Sequence, residues 1–294
     1  MARALVTLLL LAGLVGVPSA WCQAATLYAA NGSAGNLSSL AILNQTTGAL
    51  SSIVGPIGFA VTGLAVHPVT GVLYGSTSTG DAQNGSLITI DKTTGAGTLV
   101  GSFGLGGFTL PDLTFTSDGT LYGWGRVPNA LHRVNLATGK ATRVGTFNLG
   151  TNFPGLGLAA TADGLILATR DVGPLFKVDP NTGIATAFTG TDYFRPNTGF
   201  GALAFGPDGL LYGLGLSGIG TATDFFFVRI DLPAGHITEL GRTIDHADGL
   251  AFDPPVIPAL VLPSAIPTLS EVTFAAMAVL LTAIAVYRIG RRRA

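Results

Sequence analysis

Short runs of alternating apolar and polar residues, separated by glycine-containing turns, fill the chain from residue 26 to residue 253. Such runs read as half-buried β-strands, and none carries the 3.6-residue period of a helix. One apolar phrase recurs as Gly63-Leu64-Ala65-Val66, Asp112-Leu113-Thr114-Phe115, Gly157-Leu158-Ala159-Ala160, Ala202-Leu203-Ala204-Phe205 and Gly249-Leu250-Ala251-Phe252, its leucines 49, 45, 45 and 47 residues apart. The first four copies run into a turn, Pro68 to Gly71, Ser117-Asp118-Gly119, Ala162-Asp163-Gly164 or Pro207-Asp208-Gly209. A second strand follows as Leu73-Tyr74-Gly75, Leu121-Tyr122-Gly123, Ile166-Leu167-Ala168 and Leu211-Tyr212-Gly213. Asp-Gly between two apolar runs is a hairpin signal. A third strand then ends in an Asp/Asn-x-x-Thr-Gly turn, Asn44–Gly48, Asp91–Gly95, Asn135–Gly139 and Asp179–Gly183, with Asp231–Gly235 carrying Ala234 in place of Thr. The fourth strand often closes on Val-Gly or Leu-Gly, at Gly101, Gly145 and Gly241. Four short strands in a unit of this length make one blade of a β-propeller.

The ends of the repeat complement each other. Leu27-Tyr28 is a second-strand phrase with no first strand before it, and Gly249 to Asp253 is a first-strand phrase with no second strand after it. Joined, they complete a fifth blade and hide two sheet edges. An open β-solenoid or a pair of sandwiches would share the spacing without needing complementary halves. The expected body is therefore an all-β, five-bladed propeller over residues 26–253, closed by its N- and C-terminal strands. It resembles the broad NHL/YncE-like group of bacterial propellers, in phrases that concern the fold and imply no activity.

Both ends of the chain are apolar. Arg3, the run Ala4 to Val17 and the small residues around Pro18-Ser19-Ala20 to Ala25 read as a secretory signal over 1–25, cut after Ala24 or Ala25, with Ala20 as the alternative. The one cysteine, Cys22, leaves with it; Trp21 stands where a lipoprotein signal needs a small residue. At the other end Pro254 to Ala265 is a proline-rich spacer. Ile266-Pro267-Thr268-Leu269-Ser270-Glu271 follows, then the uncharged run Val272 to Tyr287 and the cluster Arg288, Arg291, Arg292 and Arg293. Sixteen helical residues reach about 24 Å, which snorkelling arginines extend toward a bilayer core. The expectation is a transmembrane helix over about 272–289, with the arginines in the cytoplasm and the body outside it. Residues 266–294 resemble the IPTL-CTERM sorting domain, related to the PEP-CTERM signals handled by exosortase-type membrane proteases of Gram-negative bacteria. The resemblance implies the cytoplasmic membrane and an exosortase-like protease as partners, with recognition at or near Pro267-Thr268. It also implies an exported, membrane-anchored propeller, with the cell surface or extracellular matrix as further destinations.

Composition sharpens the picture by exclusion. Glycine is abundant at 42 residues and charge is low at 11 %, as suits a packed β body rather than a disordered one. The net charge is −1 and four of the 15 basic residues lie in the tail, so the body offers no basic patch to nucleic acid. Propeller ligands usually meet the channel mouth, where the loops from fourth to first and from second to third strands gather. There Arg126, Arg170, Arg195 and Arg242 come from different blades and, converging, would suit an acidic glycan or a carboxylate; Trp124 would add a stacking face. Asp245-His246-Ala247-Asp248 is the densest polar group, and Asp245 and His246 join the ligand-binding candidates; Glu239 is the body's one glutamate, so no metal site is assigned. Asp112 alone among the five inner-strand starts is acidic, and one carboxylate cannot serve as both acid and base. Asp118, Asp163 and Asp208 read as turn formers, as do Asp91, Asp179 and Asp231. No catalytic residue and no cofactor is assigned. The functional expectation is a non-enzymatic surface or matrix binding module holding a glycan or protein at its mouth; the alternative is an extracytoplasmic hydrolase or lyase acting on glycan or lactone.

Overall fold

The computed structural model describes residues 25–32, 36–126, 129–145, 155–169, 175–189, 198–217, 224–232, 234–255 and 257. The expected signal over 1–25, apart from Ala25, and the expected sorting motif and transmembrane helix lie outside them. No helix among the described residues is long and apolar enough to cross a membrane.

Among the described residues, twenty strands form five four-stranded antiparallel sheets. The first blade takes β1 (Thr26–Asn31), β2 (Ser39–Leu43) and β3 (Leu50–Pro56), with β20 (Ala247–Asp253) as its inner strand. The second holds β4 (Val61–Val66), β5 (Leu73–Thr77), β6 (Ser86–Ile90) and β7 (Gly97–Ser102). The third holds β8 (Leu113–Phe115), β9 (Leu121–Arg126), β10 (Asn129–Val134) and β11 (Ala141–Arg143). The fourth holds β12 (Gly155–Thr161), β13 (Gly164–Thr169), β14 (Leu175–Val178) and β15 (Ala185–Thr189). The fifth holds β16 (Thr198–Phe205), β17 (Leu211–Ser217), β18 (Asp224–Asp231) and β19 (His236–Arg242). The inner strands touch in the order β4, β8, β12, β16, β20 and back to β4, which closes the ring. Closure is the expected one: β20 pairs antiparallel with β1, Leu27 opposite Phe252 and Ala29 opposite Leu250.

One register differs from expectation. Ala160 faces Leu165 and Leu158 faces Leu167, so the fourth blade's second-strand phrase is Leu165-Ile166-Leu167, one residue earlier than the repeat suggests. The cause is the turn: Thr161 pairs directly with Gly164 across two residues, so Gly164 opens the strand instead of ending the turn. A one-residue slip exchanges the faces of every side chain in a strand.

Five apolar clusters fill the five wedges between blades. Leu27, Phe252 and Phe227 pack between the fifth and first blades, and Leu40, Leu64 and Ile88 between the first and second. Phe103 and Leu113 fill the next wedge, Trp124, Leu131 and Leu158 the third-to-fourth, and Leu175, Phe200 and Val228 the last. At their rims the blades meet backbone to backbone. A methyl group on Gly101 of β7 would lie 2.2 Å from the Thr138 carbonyl oxygen, and one on Gly139 2.2 Å from the Gly101 carbonyl oxygen. The same contact joins Gly55 to Thr94 and Gly95, Gly145 to Thr182, and Gly241 to Thr47. The recurring Thr-Gly and Val/Leu-Gly pairs are thus two halves of one latch between successive blades.

Side chains build the turns that carry this latch. The Asn44, Asp91 and Asn135 side chains each accept the two backbone N–H groups that follow in their turns, at 2.7–3.1 Å. Asp179 accepts from Asn181 N at 2.8 Å. Asp118 accepts from Thr120 N at 3.0 Å and Asp208 from Leu210 N at 3.1 Å. These are turn-forming aspartates, as their placement in the repeat implies.

Candidate functional site

Each inner strand starts at the face where the loops from fourth to first and from second to third strands gather, and ends at the face of the hairpin turns. On the loop-bearing face, the mouth, successive loops of the first two blades interlock. Ser38 N donates to the Phe59 carbonyl (2.8 Å) and Ser78 N to the Ala60 carbonyl (2.7 Å). Asp81 clamps the next loop, accepting from Ala60 N at 2.6 Å and Gln83 N at 2.7 Å. Beyond it, the loop between β7 and β8 presents Phe108, 44 % exposed, and the loop between β1 and β2 presents Leu37, 69 % exposed.

Asp112 sits at the centre of this face and is fully buried. Its Oδ1 accepts the N–H of Leu113 at 2.9 Å, while Oδ2 accepts those of Leu158 at 2.8 Å and Leu203 at 3.1 Å. Those three donors belong to the inner strands of the third, fourth and fifth blades, so one carboxylate ties three blades across the axis. The other four copies put Gly63, Gly157, Ala202 and Gly249 at this place. Space explains why. A methyl on Gly63 would stand 2.8 Å from the Asp112 Cα, and methyls on Gly157 and Gly249 would stand 2.8 Å from the side chains of Leu203 and Leu64. The convergence admits one larger side chain. Burial holds the Asp112 carboxyl well above the ordinary carboxylate range; the three N–H donors pull the other way and the Asp248 charge adds to the rise. Asp248 lies over the start of β16, where a methyl on Gly201 would meet its Oδ1 at 3.0 Å.

Below Asp112 the channel is apolar and nearly filled. A cavity of about 40 Å³ remains, with Phe115, Phe205 and Phe252 in its wall and Pro255 and Ile257 bordering it at the turn face. That volume holds about two or three waters. Ile257 also packs against the wedge of the third and fourth blades. Pro255 and Ile257, shortly after β20, therefore lie across the channel floor.

The residues singled out at the mouth fare differently. Trp124 is wholly buried among Leu131, Leu158 and Phe176. It lies within β9, which runs on to Arg126, and so forms core between blades, with no ring face offered to a ligand. Arg170 and Arg195 lie outside the described residues, as does the Arg126 side chain; Arg242 is exposed at the mouth end of β19. Asp245 and His246 are exposed in the turn before β20. His246 is the one described residue other than glycine with positive φ, at 56°; its carbonyl accepts Gly32 N at 3.0 Å and its ring lies 5.6 Å from that of Phe225. Among the described residues no three His, Cys, Asp or Glu side chains group to hold a metal. A β-branched residue in this left-handed conformation costs about 1–2 kcal/mol. His246→Val is expected to lower the melting temperature by about 3–6 °C while His246→Gly leaves it within about 2 °C; equal melts for the two variants would show that the turn relaxes. What the residue pattern left hidden is the tie at Asp112, although its visible signal was the single acidic departure among five small residues.

The family described as "Repeat of unknown function (DUF6923)" matches residues 28–240. No curated protein matches the chain in sequence. Among solved structures, a chain of a nidogen–laminin complex superposes with a TM-score of 0.52 at 12 % identity, covering 78 % of this chain and 98 % of that one. A structural-genomics protein of unknown function from Bacteroides thetaiotaomicron gives 0.51 at 14 % identity, covering 79 % and 72 %. Virginiamycin B lyase from Staphylococcus aureus gives 0.42 at 15 %, covering 73 % and 69 %. At these identities the likeness concerns the fold alone.

Proposed function

The chain belongs to the DUF6923 repeat family, and from that premise we propose that it is an exported propeller held at the cell envelope, binding a glycan or protein at its mouth without chemical turnover. One observation carries the reading. The channel is tied shut by Asp112 at one end and crossed by Pro255 and Ile257 at the other, so the surface left to a ligand is the loop rim. The buried acid that could have served chemistry spends its lone pairs on three backbone N–H groups, and Asp81 spends its own on two more. Rigid blades presenting varied loops suit recognition. A nidogen–laminin complex is itself a protein–protein assembly, which agrees with this use of the architecture. The IPTL-CTERM-like tail, with its apolar run and terminal arginines, supports placement by an exosortase-type protease and residence at the membrane, the cell surface or the matrix.

The test is incubation of the exported protein with acidic and neutral oligosaccharides and with lactones. Retention of a ligand with no product formed is the expected result, weakened at least tenfold by Arg242→Glu if that ligand is acidic. Product formation lost in Asp245→Ala or His246→Ala would replace this reading with a hydrolase or lyase.

A further inference from the structure

We propose that the anchored propeller stands with its hairpin-turn face toward the membrane and its mouth, the face that carries Leu37 and Phe108, turned away. The inference rests on the envelope-anchoring reading above and adds to it which face is offered.

The exit of the chain fixes the geometry. Strand β20 descends from mouth to turn face, and the residues after it do not leave at the rim. Pro255 and Ile257 instead lie against the inner-strand ends Phe115, Phe205 and Phe252, on the propeller axis. Fourteen residues, 258–271, separate that point from the start of the uncharged run at Val272. Fully extended they span at most roughly 50 Å. To bring the mouth to the membrane, the spacer would first run outward past four strands, about 15 Å plus the channel radius. It would then climb a blade more than 20 Å tall. That path consumes nearly the whole reach and would hold every residue taut. With the turn face down, the same residues are slack.

The propeller is thus carried by its tail from the turn face, and its mouth is the face left to solvent.

The experiment uses the chain without its expected signal, residues 26–294 and so without Cys22, reconstituted in vesicles of neutral and anionic lipid, with a fluorescent donor on Val69→Cys or on Phe108→Cys and acceptor lipids in the bilayer. Val69 lies in the turn after β4 and is 79 % exposed; Phe108 lies on the opposite face. Energy transfer from the Val69 label is expected to be at least twofold greater than from the Phe108 label, in both lipids. Flotation of the chain with equal transfer, or with greater transfer from Phe108, overturns the orientation and leaves anchoring intact. Failure to float with either vesicle overturns anchoring and this inference with it.

Discussion

Gly139→Ala is expected to lower the melting temperature of the protein by about 4–20 °C. Two costs add. Gly139 holds φ at +75°, where an L side chain loses about 1–2 kcal/mol. Its new methyl would also stand 2.2 Å from the carbonyl oxygen and 2.5 Å from the carbonyl carbon of Gly101. Those atoms are backbone of the neighbouring blade, so no rotamer change relieves the clash; the blades must part, at the roughly 1–3 kcal/mol of an overpacked core. For a body of this size each kcal/mol moves the midpoint by about 2–4 °C. Gly209→Ala supplies the control: its φ is +76°, yet nothing lies within 4 Å of the added methyl. That variant is expected to lose only the conformational share, about 2–8 °C. Calorimetry of the two side by side separates strain from clash, and equal losses would mean that the latch between blades does not bear on stability.

The latch also marks how far residues alone carried the structure. Blade number and closure were legible because each blade repeats its turn residues, and those residues work locally. Asn44, Asp91 and Asn135 bond to N–H groups two and three positions ahead, so the pattern writes itself into sequence. The slip in the fourth blade was not legible, since Asp163-Gly164 reads alike whether Gly164 ends the turn or opens the strand. Trp124 misled for a related reason: the second-strand phrase ends at Gly123 in the repeat, whereas the strand runs on to Arg126. The position faces Leu131 across the sheet, as Leu214 faces Phe227 in the fifth blade, and both are core. Contacts between distant segments leave no such mark. Nothing near Pro255 or Ile257 in the chain announces that they cross the channel floor, and a lone aspartate does not announce which N–H groups it gathers from residues 46 and 91 positions away.

That gathering makes Asp112→Ala the second large effect, with an expected loss of about 3 kcal/mol and a fall of roughly 6–12 °C in the melting temperature. Three inner-strand N–H groups lose their acceptor, each worth about 1–3 kcal/mol when left buried and unpaired. Relief from burying a carboxyl, and entry of a water from the cavity below, offset part of the sum. Asp112→Asn keeps one oxygen for Leu158 and Leu203 but turns an amide N–H₂ toward Leu113 N, so it is expected to fall between parent and alanine. Titration gives a separate signature. The folded carboxyl lies well above the ordinary range, with burial the main cause, so the folded state binds this proton more tightly than the unfolded chain does. Its contribution to stability is then complete below about pH 4, the usual aspartate value, and is lost as pH rises through the raised folded value, at up to about 1.4 kcal/mol per pH unit. Asp91, Asp118, Asp163 and Asp179 are shifted downward and act in the opposite sense below their usual range, so the quantity to follow is the stability of the parent minus that of Asp112→Asn. Measured by denaturant unfolding from pH 4 to pH 8, that difference is expected to shrink as pH rises. A difference that is flat, or that grows with pH, would show that the three N–H donors outweigh burial and hold Asp112 ionised at the centre of the propeller.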